Sequence, residues 1–431
     1  RMPPNHDRYI ARMSAADTTL SEDQLAAIYR DLHQHAELSF QETRTAGIVA
    51  DLLTSWGYQV TTGVGVTGVV GILDNGPGST VLLRADMDAL PMAEETGLDY
   101  ASTQRATDRL GNDVAVMHSC GHDLHVTCLL GAAARLAAER DQHSGRLMVV
   151  FQPAEELGTG ARAMVEDGLF DRFGKPDVVF GQHVAPFPAG YVGMRDGQTM
   201  AASDSLTITL HGRGGHGSRP ETTVDPIVMA AATVMRLQTI VSRETAGTET
   251  AVLTVGMLTA GTTNNIIPNR AEMRVNVRTF DPKVRARTLA SIHRIVAAEA
   301  EAAGAPEPAE VDHTDYFPSL VTDPAAMAPV RAAFQEWLGA VQVFDPGPIT
   351  GTEDCGVLAD AAGAPCVFWF LGGADPQAFA GASSVAELME IMRSVPSNHS
   401  PHYAPVIAPT LSLGVEAMVT AVRSWMAANA G

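Results

Sequence analysis

The first half of the chain arranges its apolar positions in short continuous runs that are separated by turns. These runs occupy residues 68–73, 81–85, 147–151 and 178–181, and an alanine-rich segment at 126–139 has strong helix propensity. Continuous apolar strands that alternate with helices are typical of a sheet that is buried on both faces. The pattern therefore predicts an α/β domain with a mixed sheet and helices on both faces.

Two helix starts precede these strands. Ser21 with Gln24, and Ser39 with Glu42, have the spacing of a capping box, in which side chains satisfy the free amides at a helix start. The second helix is expected to end at Gly57, because glycine favours the left-handed backbone that closes many helices.

The pattern changes in the middle of the chain, where apolar and polar positions alternate. The elements predicted there, in chain order, are a strand at 206–211, a helix at 225–240, strands at 251–258 and 271–279, a helix at 282–303 and a strand at 310–313. The order βαββαβ is that of a ferredoxin-like domain. A further strand at 367–371 and a helix at 411–426 then return to the α/β pattern.

One α/β domain that is interrupted by a smaller inserted domain is the simplest arrangement of these elements. We expect residues 1–203 to form the first part of the larger domain, residues 204–314 the insertion, and residues 315–431 the second part. A chain of 431 residues is too long for one ordinary core and suits about two or three domains.

The amino-acid composition disfavours certain classes of binding partner and indicates a cellular compartment. Asp and Glu outnumber Lys and Arg by 49 to 29, and this acidic balance disfavours nucleic acid and anionic membrane surfaces as partners. No apolar run reaches the roughly 18 residues that span a bilayer, and residues 1–20 lack the apolar core of a secretory signal. The 4 cysteines are too few for a disulfide scaffold, so a reducing, cytoplasmic setting is expected.

The densest chemical signal is residues 117–125, MHSCGHDLH. Cys120 and His122 offer a thiolate and an imidazole close enough to share a metal, and Gly121 removes side-chain crowding between them. Asp123 is a candidate for orienting a ligating imidazole from outside the ligand set. On these residues alone, a polar turn that leads into a helix explains the segment equally well.

A second signal is the adjacent pair Glu155 and Glu156, which follows a buried strand. In an α/β enzyme the working groups lie at the carboxyl ends of the strands. One glutamate can then ligate a metal while its neighbour takes a proton from water. The alternative is an exposed acidic helix start, where carboxylates meet the helix dipole favourably.

Other candidate ligands follow core strands or lie in polar loops. Asp86 and Asp88 end one core strand, His183 follows another, and His399 lies in a polar loop near the C-terminus. The two aspartates also fit a strand-terminal turn, and a single loop histidine is usually only solvated. Taken together, however, the candidates exceed the four ligands of a closed structural zinc site, and they fit a two-metal hydrolytic centre better.

The order of these motifs resembles that of the aminoacylase and carboxypeptidase family of dinuclear metallopeptidases. The match is best for the branch of hippurate hydrolases, auxin-conjugate hydrolases and N-acyl-amino-acid amidohydrolases. The similar segments are residues 33–38 (HQHAEL), 83–91 (LRADMDALP), 117–123 (MHSCGHD), 152–156 (QPAEE), 181–183 (GQH), 212–220 (GRGGHGSRP), 351–354 (GTED) and 398–401 (NHSP).

The resemblance implies a role for each candidate in the larger domain. Cys120 would be a bridging thiolate, with His122 and His183 completing one metal site. Glu156 and His399 would complete the other site.

The neighbouring carboxylates take other roles in the resemblance. Glu155 would act as general base and acid. Asp86 would support the centre from outside the ligand set.

The resemblance also implies that the inserted domain acts as a lid and in dimerisation, so that a homodimer is expected. His216 would be delivered towards a substrate oxyanion or carboxylate, although the residue alone fits a polar position in a glycine-rich turn. Asn264 and Arg278 are weaker candidates for holding a substrate carboxylate.

The activity implied is metal-dependent hydrolysis of the amide bond in N-acyl amino acids or small peptide-like substrates. Thiolate and imidazole suit zinc, while the carboxylates suit manganese and also permit cobalt or nickel, so two divalent ions are expected without a choice between them. A dipeptidase or carboxypeptidase with the same centre, and a catalytically silent relative that binds metal or ligand, are the alternatives. Cys355 departs from the branch pattern and leaves acyl-group preference open, and His402 is a second candidate ligand beside His399.

Overall fold

The computed structural model describes residues 19–429 and divides them into two compact units. We call them the large unit (residues 19–197, 321–347 and 354–429) and the small unit (residues 198–320 and 348–353). Most of residues 1–20, for which no secretory signal is predicted, lies outside the described residues. The domain boundaries given above stay predictions.

The regular elements of the described chain are numbered in chain order. The α-helices are α1 (Glu22–Gln34), α2 (Thr43–Ser55), α3 (His122–Ala138), α4 (Gly160–Glu166), α5 (Leu169–Phe173), α6 (Pro226–Thr239), α7 (Pro282–Ala302), α8 (Pro324–Leu338), α9 (Cys355–Ala362), α10 (Val385–Met392) and α11 (Thr410–Ala428). The β-strands are β1 (Gln59–Val64), β2 (Gly68–Asn75), β3 (Thr80–Asp86), β4 (Arg105–Thr107), β5 (Asp113–Ala115), β6 (Gly145–Gln152), β7 (Val178–Pro188), β8 (Val192–Met194), β9 (Gly197–Met200), β10 (Ala202–His211), β11 (Gly215–His216), β12 (Ala251–Ala260), β13 (Ile266–Ile267), β14 (Arg270–Thr279), β15 (Glu310–Phe317), β16 (Leu320–Thr322), β17 (Val343–Phe344) and β18 (Cys366–Ala374).

The large unit contains a mixed sheet of 8 strands in the order β1-β2-β6-β3-β7-β18-β8-β17. Strand β3 pairs in parallel with both β6 and β7, and β7 pairs in parallel with β18, whereas β1 and β2 pair antiparallel. The parallel strands are almost wholly buried. This confirms the mixed sheet that the continuous apolar runs predicted.

Helices cover both faces of this sheet, as predicted. Gly181 and Gln182 are neighbours in β7, so their side-chain positions point to opposite faces. A Cβ atom on Gly181 would lie 2.8 Å from Sγ of Cys355 in α9. On the other face, a Cβ atom on Gly414 of α11 would lie 2.9 Å from Nε2 of Gln182.

The small unit has a separate core built from the predicted βαββαβ order. Its 4-stranded sheet runs β12-β14-β10-β15, and its three strand pairings are all antiparallel. In β10 and β14, Leu206 lies opposite Val275 and Ile208 lies opposite Met273, and these buried side chains pack with Ile292 of α7. The arrangement is ferredoxin-like, with α6 and α7 packed on the sheet.

One of the two predicted helix starts is wrong. Ser21 and Gln24 form the complete capping box of α1. In contrast, neither Ser39 nor Glu42 caps α2 with its side chain. Glu37 fills that role, because its carboxylate accepts hydrogen bonds from two amides in the first turn of α2, which releases Ser39 and Glu42 for contacts elsewhere.

Within the described residues, every helix is too short or too polar to cross a membrane. The cytoplasmic setting inferred from cysteine usage stays a prediction.

Candidate metal centre

The candidate ligands approach one another at the carboxyl ends of the parallel strands. In the register of the sheet, Asp86 at the end of β3 lies opposite Gln152 at the end of β6. The neighbouring strand β7 carries His183 past the same edge, since Arg84 pairs with Gly181. A sheet with parallel strands therefore brings distant segments of sequence to one place.

Two groups of three ligand atoms share one thiol. The first group is Cys120, His122 and His183, and the second is Cys120, Glu156 and His399, with all ligand atoms of each group within 4.8 Å of one another. Sγ of Cys120 lies 3.4 Å from Nε2 of His183, and Oε1 of Glu156 lies 3.2 Å from Nε2 of His399. The structure thus gathers the five residues that the sequence suggested as ligands.

Two of these ligand atoms are buried without a hydrogen bond. They are Nε2 of His122 and Oε1 of Glu156, which lie 3.8 Å apart; the oxygen makes an ion-pair contact with His399 at 3.2 Å without hydrogen-bond geometry, so the nitrogen of His122 is the unsatisfied atom. Leaving such a group unsatisfied costs about 1–3 kcal/mol, so a native site normally gives it a partner. A thiol, imidazoles and a carboxylate converging in this way fit divalent cations.

Two of the imidazoles are oriented by bonds on their other ring nitrogen. Nδ1 of His122 lies 3.2 Å from Oδ1 of Asp88, and Nδ1 of His183 donates to the carbonyl of Val184 at 2.8 Å. Both rings therefore direct Nε2 towards Cys120 and the glutamates. This is the usual way in which a protein fixes the tautomer of a ligating histidine.

The centre carries an excess of buried negative charge. Burial by itself lowers the pKa of His122, but the carboxylates of Asp86, Asp88 and Glu156 outweigh burial and raise that pKa to about 10. Burial and the nearby glutamates raise the pKa of the Cys120 thiol well above its usual range. The site therefore attracts positive charge, and a bound metal ion would favour the thiolate.

Asp86 is held outside the two ligand groups. It accepts hydrogen bonds from Arg84 at 2.7 Å and from Nδ1 of His125 at 2.5 Å, and it lies 3.7 Å from Nε2 of His122. Nε2 of His125 in turn accepts from the amide of Val184 at 2.8 Å. Both ring nitrogens of His125 are therefore engaged in holding the surrounding frame.

Asp354, the last residue of the motif at 351–354, supports the elements around the centre. Asp354 is buried, accepts from Arg84 at 2.9 Å and from the amide of Ala161 at 3.0 Å, and so ties α9 to β3 and α4. Cys355, which follows it, is buried against Gly181 of β7. Cys355 therefore packs against the sheet of the large unit.

Two carboxylates hold the turn that carries the glutamate pair. Glu42 accepts from the amide of Ala154 at 2.9 Å, and Asp88 accepts from the amides of Glu155 and Glu156 at 3.1 Å each. Ala154 has a positive φ of 49°, a left-handed backbone that persists where its surroundings enforce it. The spacing of Glu42 from Ser39 suggests only a helix cap, so no sequence pattern predicts the contact of Glu42 with Ala154.

The hydroxyl groups of two residues complete this frame. Ser39 donates to Asp88 at 2.6 Å, and Thr67 donates to Glu42 at 2.5 Å. Ser39 therefore serves the site and not the start of α2.

Asp123 has a different partner from the one predicted. It bonds to Nδ1 of His33 at 2.7 Å, and Nε2 of His33 bonds to Glu94 at 3.0 Å. Burial lowers the pKa of His33, but these two carboxylates raise it to about 10. The aspartate that bonds to the imidazole of His122 is Asp88, so Asp123 supports the site only through the neighbouring buried network.

His402 lies apart from both ligand groups. Its Nδ1 bonds to the carbonyl of Glu95 at 2.9 Å, and its Nε2 lies 3.5 Å from the carboxylate of the same residue. Of the two histidines in this loop, the structure therefore brings only His399 to Cys120 and Glu156.

The remaining candidates lie in the small unit. His216 is exposed in β11, and its Nδ1 accepts from the amide of Ser218 at 3.1 Å. β11 pairs with β13, so the exposed loop that contains Asn264 lies beside His216. Arg278 of β14 donates to the carbonyl of Thr350 at 2.7 Å.

The mixed sheet, the ligand groups at its strand ends and the ferredoxin-like unit define a metal-dependent hydrolase with a dinuclear centre. Residues 82–395 match the model of peptidase family M20/M25/M40. The chain belongs to this family.

The proteins to which the chain is similar include both amidohydrolases and peptidases. The chain is 38% identical over 347 residues to hippurate hydrolase from Campylobacter jejuni, covering 80% of this chain and 86% of that one. It is 37% identical over 358 residues to thermostable carboxypeptidase 1 from Saccharolobus solfataricus, covering 81% and 86%. A solved M20 dinuclear metal-binding peptidase from Bacillus subtilis is similar with a TM-score of 0.74 at 28% identity, over 94% of this chain and 98% of that one. The chain is accordingly a hydrolase of amide bonds that works with two metal ions.

Glu42 is expected to make the stability of the folded protein depend on pH. Burial, assisted by the charge of Asp88, raises the pKa of Glu42 from 4.5 to about 7. A raised carboxyl pKa means that protonation stabilises the fold fully below pH 4.5, and that this contribution is lost as the pH rises through 7. Glu42→Gln imitates the protonated form, so we expect it to be more stable than the wild type by about 1–3 kcal/mol at alkaline pH, with the difference vanishing in acid.

Urea unfolding of the metal-free protein across this pH range measures the difference. Glu37→Gln is the matched control in the same segment, and it should lower stability because it weakens the cap of α2. Loss of stability in Glu42→Gln at alkaline pH would contradict the expectation.

Proposed function

We propose that this chain hydrolyses the amide bond of N-acyl amino acids and releases a carboxylic acid and an amino acid. The observation that carries the proposal is the sharing of one thiol, Cys120, between two ligand groups that lie beside Glu155. In this assignment His122 and His183 complete one metal site, and Glu156 and His399 complete the other. A purely structural zinc site would need neither the second group nor the adjacent carboxylate.

Zinc or manganese is the proposed native metal, since the donors combine a thiol and imidazoles with a carboxylate, and cobalt or nickel would also suit them. Bound divalent ions supply Lewis acidity and lower the pKa of a bound water molecule from about 15.7 towards about 7.

Glu155 is the proposed general base. Its carboxylate lies 3.8 Å from Nε2 of His122, beside both ligand groups, and it is almost completely buried. The carboxylate would take a proton from the attacking water and pass it to the nitrogen of the leaving amine. Asp88 accepts hydrogen bonds from the amides of both glutamates, and both carboxylates lie 3.8 Å from Nε2 of His122, where one would ligate metal and the other would take the proton.

The small unit is the proposed lid, and it would supply contacts to the substrate. Ser218 engages Nδ1 of His216, so Nε2 is the ring nitrogen that would meet the developing negative charge on the substrate oxygen. Arg278 and Asn264 are proposed to hold the carboxylate of the amino acid. All three roles rest on the family resemblance and on the exposure or hydrogen bonding of these side chains.

A dipeptidase or carboxypeptidase activity at the same centre is the second candidate. The similarity to thermostable carboxypeptidase 1 favours it, at nearly the same identity as the similarity to hippurate hydrolase. The two candidates differ in the group attached to the scissile amide. An acylated amino acid carries no free amine there, whereas a dipeptide does.

Replacing Glu155 tests the proposed division of roles. Glu155→Gln should bind two metal ions as the wild type does, but lose about 10²–10⁴-fold in turnover, because the amide cannot accept a proton. Metal content by mass spectrometry and hydrolysis of N-acetyl and N-benzoyl amino acids beside unblocked dipeptides provide the measurement. Glu166→Gln, an exposed glutamate of α4, is the control and should keep wild-type activity.

Two results would go against the proposal. Wild-type turnover in Glu155→Gln would remove this residue from the mechanism. Cleavage of dipeptides alone by the wild type would favour the peptidase over the amidohydrolase.

We also propose that the chain forms a homodimer through the small unit. Strand β12 is at the edge of the sheet, and the nearby helix α6 exposes Val228 by 66% and Met235 by 71%. Exposed apolar surface beside an unpaired strand edge favours self-association.

Sedimentation equilibrium tests the dimer. Val228→Asp combined with Met235→Asp should yield monomers, whereas Leu110→Asp, at an isolated exposed position in the large unit, should leave the dimer intact. A monomeric wild type would refute the proposal.

A further inference from the structure

The loop that carries His399 holds this residue in an unfavourable backbone conformation. The φ of His399 is 67°, in the left-handed region that residues other than glycine rarely adopt. Such a conformation costs on the order of 1–3 kcal/mol and persists where surrounding contacts enforce it. One such contact is the hydrogen bond from the amide of His399 to the carbonyl of Ser119 at 2.8 Å.

Asn398 provides further contacts from the position just before His399. Its side-chain nitrogen Nδ2 donates to the carbonyl of Cys120 at 3.0 Å and to the carbonyl of Val184 at 3.1 Å. Both partners are main-chain carbonyls, which only accept hydrogen bonds, so the chemistry fixes which way the amide is turned. Asn398 is half-buried, so its side chain is screened from full competition by water.

The two carbonyls belong to segments that carry other proposed ligands. Cys120 is itself the shared thiol, and Val184 directly follows His183. The carbonyl of Val184 also accepts the bond from Nδ1 of His183 at 2.8 Å, which turns Nε2 of that ring towards Cys120. Asn398 therefore bonds to the same oxygen atom that orients the His183 ring.

We propose that Asn398 is a positioning residue of the metal centre. Asn398 lies in the loop that carries His399, and its side-chain amide joins this loop to the loop before α3 and to strand β7. The two carbonyls that it contacts, those of Cys120 and Val184, are 278 and 214 residues away in the sequence. Asn398 thereby sets the distances among Cys120, His183 and His399 before any metal binds. The proposal rests on the ligand assignment proposed above.

Few side chains could replace that of Asn398. Two donors on one nitrogen atom are needed, and an aspartate of the same size would place a carboxylate against both carbonyl oxygens. Alanine would remove both bonds and leave the left-handed His399 held by fewer contacts. Either change should loosen the geometry of both proposed metal sites, because Cys120 belongs to each.

Metal affinity measured by competition with a chromophoric chelator tests the proposal, using Zn²⁺ and Mn²⁺ in turn. Asn398→Ala is expected to weaken binding about 10–100-fold, the range typical of residues that orient metal ligands. The matched control is His402→Ala, which removes a side chain of the same loop that bonds to a carbonyl outside the centre. We expect its affinity to stay within about threefold of the wild type, well short of the loss in the test variant.

Equal metal affinity in Asn398→Ala, His402→Ala and the wild type would overturn the inference. If Asn398→Ala does not fold, Asn398→Asp serves in its place, and wild-type affinity in that variant would have the same meaning. A wild type that binds fewer than two ions would instead contradict the proposed function. The two proposals therefore fail on different measurements.

Discussion

Buried negative charge at the ends of three strands is the constraint on which the rest of the structure depends. Several carboxylates are brought together beside a thiol where water has little access, and the mutual repulsion of the carboxylates must be offset. Arg84 offsets part of it, since its fully buried guanidinium bonds to Asp86 and Asp354. The remaining negative field of Asp86, Asp88 and Glu156 raises the pKa of His122, and the same field favours the binding of divalent cations.

The frame around the centre uses main-chain amides and hydroxyl groups to hold the carboxylates that do not ligate. Asp88 is bonded to two amides, a hydroxyl group and the ring of His122, and so fixes a proposed ligand and the proposed base together. Two residues other than glycine have a left-handed backbone at the centre: Ala154, which directly precedes the proposed base Glu155, and the proposed ligand His399. Strained backbone at these points is consistent with a centre whose geometry is set before metal binds.

Sequence patterns predicted the elements well and the local chemistry partly. The apolar runs of β3, β6 and β7 are continuous because both faces of the sheet are covered, and glutamates at a strand end stand out against such a background. The residues that hydrogen-bond to the turn of the glutamates and to the ligating imidazole, however, have no recognisable local pattern in the sequence. Glu42 bonds to an amide 112 positions away, and the aspartate that bonds to His122 proved to be Asp88, 34 positions away, and not the adjacent Asp123. Only the fold brings such pairs together.

Anomalous X-ray diffraction from crystals of the metal-loaded wild-type protein tests the central claim most directly. Two peaks at the absorption edge of the metal are expected, about 3.5–4 Å apart and each about 2.3 Å from Sγ of Cys120 if the metal is zinc. A single peak enclosed by four ligands, or peaks away from Cys120, would contradict the account.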